Sequence, residues 1–224
     1  MHKGKIAEVF ASIQGEGLYQ GVKQVFVRFF GCNLACTFCD TPQHNFREYS
    51  SQELWEEMEL LSKSCHSISF TGGEPLLQTK FLKKIIEICR KESKRIYLET
   101  NGTLPYSLKE VISLVDIVAM DFKLPSSTGE KEFWPEHEEF LRIAREKDVF
   151  VKAVINKSTE MRDIERSVEI IKKVNADIPL VLQPDSEEQD DSLIMKIWGF
   201  KGYCQKHLNK VLMLSRYHKL LAVR

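Results

Sequence analysis

The stretch SISFTGGEPLLQTKFLKKIIEICRKESKRIYLETNG, residues 67–102, carries the reading of the fold. Ser67–Thr71 is a short apolar strand that ends in a glycine pair. Lys80–Lys91 then places Phe81, Leu82, Ile85, Ile86 and Cys89 on one face of a helix. A second strand, Arg95–Glu99, follows at once. Strand, amphipathic helix and strand in close succession argue for a parallel sheet with helices packed outside it.

The same rhythm extends in both directions. Before it come extended segments Lys5–Phe10 and Gln24–Phe30, a cysteine-bearing loop, and a helix over Ser51–Ser62 with Ser50 or Ser51 as N-cap. After it come helix Leu108–Leu114, strand Asp116–Met120, helix Pro135–Glu146 and strand Val149–Ile155. A helix bearing Ile164, Val168, Ile171 and Val174 follows, then strand Ile178–Leu182, helix Ser192–His207 and strand Val211–Leu214. Right-handed crossovers wind such a sheet into an open or closed barrel with its chemistry at the C-terminal strand ends. The expected fold is α/β, a partial or modified (β/α)6 TIM-like barrel. No repeat, low-complexity tract or Pro/Gly-rich linker interrupts it, so residues 1–224 read as a single domain.

Composition narrows the classes of function. Lys plus Arg and Asp plus Glu are 32 each, so no basic field invites nucleic acid. A local acidic run, Glu187, Glu188, Asp190 and Asp191, reads as a solvated loop. No apolar run approaches a membrane span and no signal-peptide core follows Met1, so a cytoplasmic, reducing location is expected. Six cysteines there are thiols or metal ligands rather than disulfides. Cys65, Cys89 and Cys204 are scattered and read as core thiols.

Cys32, Cys36 and Cys39 are crowded into one loop with C-x3-C-x2-C spacing. Three thiolates so close can grip one metal centre. A four-iron cluster held by three of them keeps one iron open for another ligand. A zinc site of Cys32, Cys36, Cys39 and His44 is the alternative that spacing alone allows. Four polar motifs converge with this loop because each begins where a strand ends. They are Thr71-Gly72-Gly73-Glu74-Pro75, Glu99-Thr100-Asn101-Gly102, Asp121-Phe122-Lys123 and Gln183-Pro184-Asp185.

The cysteine loop, followed one strand and one helix later by Gly72-Gly73-Glu74, resembles the radical S-adenosylmethionine superfamily. The resemblance implies a 4Fe-4S cluster on Cys32, Cys36 and Cys39 whose open iron binds S-adenosyl-L-methionine, and it outweighs the zinc reading. Ser12-Ile13-Gln14-Gly15-Glu16-Gly17, Val25-Phe26-Val27-Arg28-Phe29, Cys39-Asp40-Thr41, Gln183-Pro184 and the His218-Lys219 region narrow it further. Together they are similar to the 7-carboxy-7-deazaguanine synthase family over the whole chain. That implies a carbon–nitrogen lyase that converts 6-carboxy-5,6,7,8-tetrahydropterin to 7-carboxy-7-deazaguanine with loss of ammonia, on the way to queuosine and related nucleosides. It also implies Mg2+, an external reductant such as flavodoxin or ferredoxin, and a homodimer, with no nucleic-acid or membrane partner.

Residue roles follow from the same resemblance. Thr41 is the magnesium ligand. Phe38, Cys39, Asp40, Gly73, Asp121, Phe122, Lys123, Gln183, Pro184, Asp185 and Ser186 are cofactor contacts. Ile13, Gln14, Gly15, Thr71 and the terminal Arg224 are pterin contacts. Arg28 also stands on its own chemistry: a guanidinium in an apolar strand needs an anion, supplied either by a structural carboxylate or by the substrate's. The resemblance favours the substrate. Asp121-Phe122 stands where many relatives have Ser-Pro, so Lys123 carries over more securely than its neighbours. Lys152, in the apolar run 150–155, is open between a site group and a salt-bridged strand residue. A glycyl-radical activase shares the cysteine spacing, and Gln14-Gly15-Glu16-Gly17 argues against it. A zinc-binding interaction module is a distant third.

Overall fold

A computed structural model describes residues 3–39, 45–188 and 190–215. Asp40, Thr41, His44, His218, Lys219 and Arg224, all named above, lie outside the described residues.

Nine strands form one sheet in the order β3-β1-β2-β4-β5-β6-β7-β8-β9. They are β1 Gly4–Ile13, β2 Lys23–Phe29, β3 Arg47–Tyr49, β4 Ser67–Gly72, β5 Ile96–Thr100, β6 Ile117–Asp121, β7 Asp148–Ile155, β8 Leu180–Pro184 and β9 Val211–Met213. From β2 onward each neighbour is parallel, while β1 pairs antiparallel with both β2 and β3. The architecture is the expected partial TIM-like barrel with an antiparallel edge added to it.

Helices α1 Ser51–Ser62, α2 Thr79–Lys91, α3 Pro105–Lys109, α4 Pro125–Thr128, α5 Trp134–Ala144, α6 Met161–Asn175 and α7 Asp191–Cys204 lie along the sequence between strands. Their boundaries follow local chemistry. Ser50 Oγ accepts from the backbone N–H of Glu53 at 3.2 Å, and Glu53 Oε2 accepts from that of Ser50 at 2.7 Å. This reciprocal cap starts α1 where the sequence predicts. The helix expected over Leu108–Leu114 differs: α3 begins at Pro105, and a 3-10 turn over Ile112–Leu114 follows. Proline at a first helical position is a start signal that outweighs the apolar spacing here.

Two apolar assemblies hold the sheet. The larger joins Val25, Val27 and Phe29 of β2, Phe70 of β4 and Leu98 of β5 to the α1 and α2 side chains Leu54, Met58, Phe81 and Ile85. The smaller, Tyr97, Ile117, Ala119, Phe150 and Val181, fills the inner side and is packed by Leu18 and Tyr19. The 3-10 turn Gly17–Tyr19 is thus the floor beneath the cavity described below. Among the described residues, no helix is long and apolar enough to cross a membrane.

Candidate active site

Side chains two apart on a strand share a face, and that rule builds the site. A cavity of about 770 Å3 opens on the inner side of the sheet. Its lower wall is apolar: Phe26 of β2, Tyr97 of β5, Ala119 of β6 and Phe150 of β7. Two residues further along the same strands stand Arg28, Glu99, Asp121 and Lys152, with Thr71 of β4 paired to Arg28. A polar belt therefore crowns a hydrophobic floor, with Asp121 and Lys152 side by side in the register.

The belt is internally paired. Arg28 Nε lies 3.1 Å from Glu8 Oε2, and the guanidinium sits 5.4 Å from the Phe10 ring centroid. Glu99 accepts from Gln14 Nε2 at 2.6 Å and from Thr71 Oγ1 at 2.8 Å. Lys152 bonds Glu16 and lies 3.6 Å from Asp121 Oδ2, to which Lys123 Nζ donates at 2.8 Å. Burial works against the Lys152 ammonium, yet the Glu16, Asp121 and Glu99 carboxylates hold its pKa above the ordinary lysine value. Lys152 is thus salt-bridged and also lines the cavity.

The cysteine loop closes one side. Cys32, Cys36 and Cys39 all line the cavity, as do Leu34 and Phe38. Lys123 Nζ stands 5.6 Å over the Phe38 ring. Burial pushes the Cys36 thiol up to about 11 and raises that of Cys32, which opposes thiolate formation at both until a metal is bound. Loading a metal here releases protons. Among the described residues no three His, Cys, Asp or Glu side chains are drawn together as a ready-made metal centre. Three thiols on one short loop facing one cavity fit a cluster that brings its own sulfides and needs the protein only at its corners.

Gly72 and Gly73 set how closely the neighbouring loop approaches. A Cβ on Gly73 would lie 1.9 Å from the Gly31 carbonyl oxygen, and one on Gly72 would lie 2.4 Å from the Phe29 backbone. The absent side chains are thus required by the chain's own backbone, where Gly73 N–H donates to Phe29 O at 3.0 Å. Glu74, fully buried, ties this turn to the next. It accepts from Thr100 Oγ1 at 3.0 Å, from the backbone N–H of Asn101 at 2.8 Å and from that of Leu76 at 3.0 Å. Burial raises its carboxyl to about 7 against those donors. Asn101 Nδ2 lies 3.9 Å from Cys32 Sγ and donates to Asn33 Oδ1 at 2.9 Å, so Glu74 braces the cysteine loop through Asn101.

The structure sorts the expected site residues. Ile13, Gln14, Gly15, Arg28, Cys32, Cys36, Phe38, Cys39, Thr71, Gly73, Asp121 and Lys123 line the cavity. Phe122 does not. Asp121 and Lys123 face inward, so the residue between them turns away, and its ring stacks on His137 at 4.7 Å between centroids. Gln183, Pro184, Asp185 and Ser186 also stand off the lining. Gln183 is completely buried on the same side of β8 as Val181, and its amide atoms have no hydrogen-bond partner among the described residues. Asp185 accepts from the Glu187 N–H at 3.1 Å, and Glu187 reaches the cavity instead. Glu16, Tyr97 and Phe150 line the cavity without having been singled out. Their signal was the two-residue alternation with Glu99 and Lys152, together with the turn that returns from β1.

A barrel with three thiols at its mouth is matched by the family described as the Radical SAM superfamily over residues 26–191, and the chain belongs to that superfamily. Its cofactors are therefore a 4Fe-4S cluster and S-adenosylmethionine. The 7-carboxy-7-deazaguanine synthase of Geobacter sulfurreducens is 36% identical, covering 97% of this chain and 96% of its own. That of Methanothermobacter thermautotrophicus is 34% identical over 99% and 98%. Within the superfamily, the chain is a member of the 7-carboxy-7-deazaguanine synthase family. The crystal structure of QueE from Escherichia coli shares the fold, with a TM-score of 0.67 over 94% of this chain and 93% of that one, at 23% identity.

Proposed function

We propose that this chain converts 6-carboxy-5,6,7,8-tetrahydropterin to 7-carboxy-7-deazaguanine with loss of ammonia, supplying 7-deazapurine nucleosides such as queuosine. The observation that carries the reading is one cavity whose walls hold both the three-thiol loop and, across from it, Arg28 and Glu99. When bound, the cluster and S-adenosylmethionine supply one-electron chemistry able to remove a hydrogen atom from carbon.

The protein's own residues bind, orient and shield. Arg28 offers its guanidinium to the substrate carboxylate while Glu8 steadies the Nε edge, a charge-assisted pairing that suits the planar fork. Glu99, already accepting from Gln14 and Thr71, also accepts from the pterin's N–H groups, and the backbone of residues 13–15 borders the same space. Phe10, Phe26, Tyr97 and Phe150 exclude water from the ring, which strengthens each polar contact above them. Lys123, over the Phe38 ring of the thiol loop and paired with Asp121 of the belt, joins the two and lines the cofactor's side. The Glu16–Lys152 pair holds the floor's polar edge without a net charge.

Thr41 as magnesium ligand, Asp40 and Gln183 to Ser186 as cofactor contacts, and Arg224 as a pterin contact enter this proposal on family resemblance alone. So do the flavodoxin or ferredoxin reductant and the homodimer, while the cytoplasmic location is the expectation of the sequence pattern. A bacterial strain that lacks its own synthase tests the reading. Expression of this chain restores queuosine in transfer RNA, and unmodified transfer RNA despite full expression contradicts it.

A further inference from the structure

Glu99 is the cavity end of a hydrogen-bond chain that runs back into the protein. Gln14 Nε2 donates both to Glu99 Oε1 at 2.6 Å and to Gln24 Oε1 at 3.0 Å. Gln24 Nε2 donates to Ser67 Oγ at 2.8 Å. The Gln14 oxygen accepts from the backbone N–H of Glu16 at 3.1 Å. Gln14 is 3% exposed and Gln24 and Ser67 are 0% and 3% exposed, so water does not substitute for these bonds.

The polarity of this chain is forced. The Glu99 carboxylate accepts from both Thr71 and Gln14, so the nitrogen of the Gln14 amide faces it. With one of its hydrogens spent there, the other meets Gln24, whose oxygen must then turn toward it. That leaves the Gln24 nitrogen for Ser67. Both hydrogens on the Gln14 nitrogen are used, so this side chain has no donor left for a ligand.

A buried amide is costly at a strand position where an aliphatic side chain would pack without needing partners. Gln24 shares the inward face of β2 with Phe26 and Arg28, and among the described residues its side-chain hydrogen bonds lead toward Glu99, through Gln14, and toward Ser67. We propose that Gln24 is a positioning residue for substrate: it locks the Gln14 amide and, through it, the direction of the Glu99 carboxylate. This rests on the pterin reading above. Gln14 accordingly serves the substrate by holding Glu99, and it meets the ligand by its backbone.

Gln24→Met keeps the length and bulk of the side chain and removes both hydrogen bonds. With cluster-loaded protein, the KM for 6-carboxytetrahydropterin rises about tenfold, the worth of roughly one buried hydrogen bond. kcat and the dissociation constant of S-adenosylmethionine stay within about twofold, which separates misdirected substrate binding from general loosening. Ser67→Ala leaves Gln24 in place but unanchored, and KM rises about threefold. It decides the matter if the methionine variant does not fold. Turnover by the unaltered protein with KM unchanged in the variant, or with KM and cofactor affinity weakened together, overturns the role of Gln24. Absence of turnover by the unaltered protein overturns the pterin reading itself, and the role of Gln24 with it.

Discussion

Arg28 and Glu8 face one another across the antiparallel pair of β1 and β2, just past the register slip between Ile6 and Glu8. Arg28 Nε stands 3.1 Å from Glu8 Oε2 while the guanidinium lines the cavity. A structural carboxylate and the cavity therefore share one cation. Arg28→Ala weakens substrate binding by on the order of 2–5 kcal/mol, with iron content unchanged. Arg28→Lys keeps the charge, loses the fork and falls between. Glu8→Gln, which only loosens the Nε edge, costs less than either. Titration calorimetry with the carboxypterin reads all three, and normal binding by Arg28→Ala would make the residue purely structural.

The cysteines divide by loop. Cys32→Ala, Cys36→Ala and Cys39→Ala each lose the cluster, seen as loss of iron and of its visible absorption after anaerobic reconstitution. Cys65→Ala, Cys89→Ala and Cys204→Ala retain it. Cys89 and Cys204 are fully buried, so their loss lowers stability by roughly 1–2 kcal/mol through the small cavity left behind. Full iron content in Cys36→Ala would break the assignment.

Two buried groups give the metal-free chain opposing pH slopes. The Glu74 carboxyl rises from 4.5 to about 7 on folding, so the folded state holds an extra proton between those values and stability falls as pH rises through them. Burial lowers His137 from 6.5 to about 4, so the unfolded state holds the extra proton there and stability falls as pH drops. Over the shared interval the two offset each other. His137→Phe, which preserves a stacking partner for Phe122, exposes the Glu74 slope: unfolding free energy drops by about 3 kcal/mol from pH 4.5 to 7. Urea titrations at several pH values measure it, and a flat profile in that variant would contradict the account of Glu74.

Lys152 is the cation between Glu16 and Asp121, with Glu99 close enough to act on it. Lys152→Met removes the counter-charge of Glu16, while Asp121 keeps Lys123, and destabilises the fold by on the order of 3 kcal/mol. Glu16→Gln in the same background recovers part of the loss. If the double variant is no more stable than the single one by urea titration, the two residues do not interact energetically.

Much of this was legible from periodicity. The face of Phe81, Ile85 and Cys89 and the Ser50–Glu53 cap marked helices because both are local signals. The edge strand Arg47–Tyr49 was not, since a three-residue strand with charged Arg47 and Glu48 carries no apolar run. α4 was missed because Pro125 and Gly129, a start and a left-handed stop at φ 74, enclose too few residues for a periodic pattern. Within the site, Arg28 and the cysteines announced themselves by type. Strand alternation turns Phe122 away from the cavity that Asp121 and Lys123 line, which the motif read as a three-residue unit does not show. The Gln14–Gln24–Ser67 chain joins three separate segments, so register between strands, absent from any single strand's pattern, was needed to see it.

The most direct measurement is product analysis by liquid chromatography and mass spectrometry. The reconstituted protein is incubated anaerobically with 6-carboxytetrahydropterin, S-adenosylmethionine, Mg2+ and dithionite. 7-Carboxy-7-deazaguanine appears with one equivalent of ammonia for each pterin consumed, and Arg28→Ala forms far less at the same substrate concentration. Reductive cleavage of S-adenosylmethionine with the pterin left unchanged would contradict the proposed function while leaving the superfamily intact.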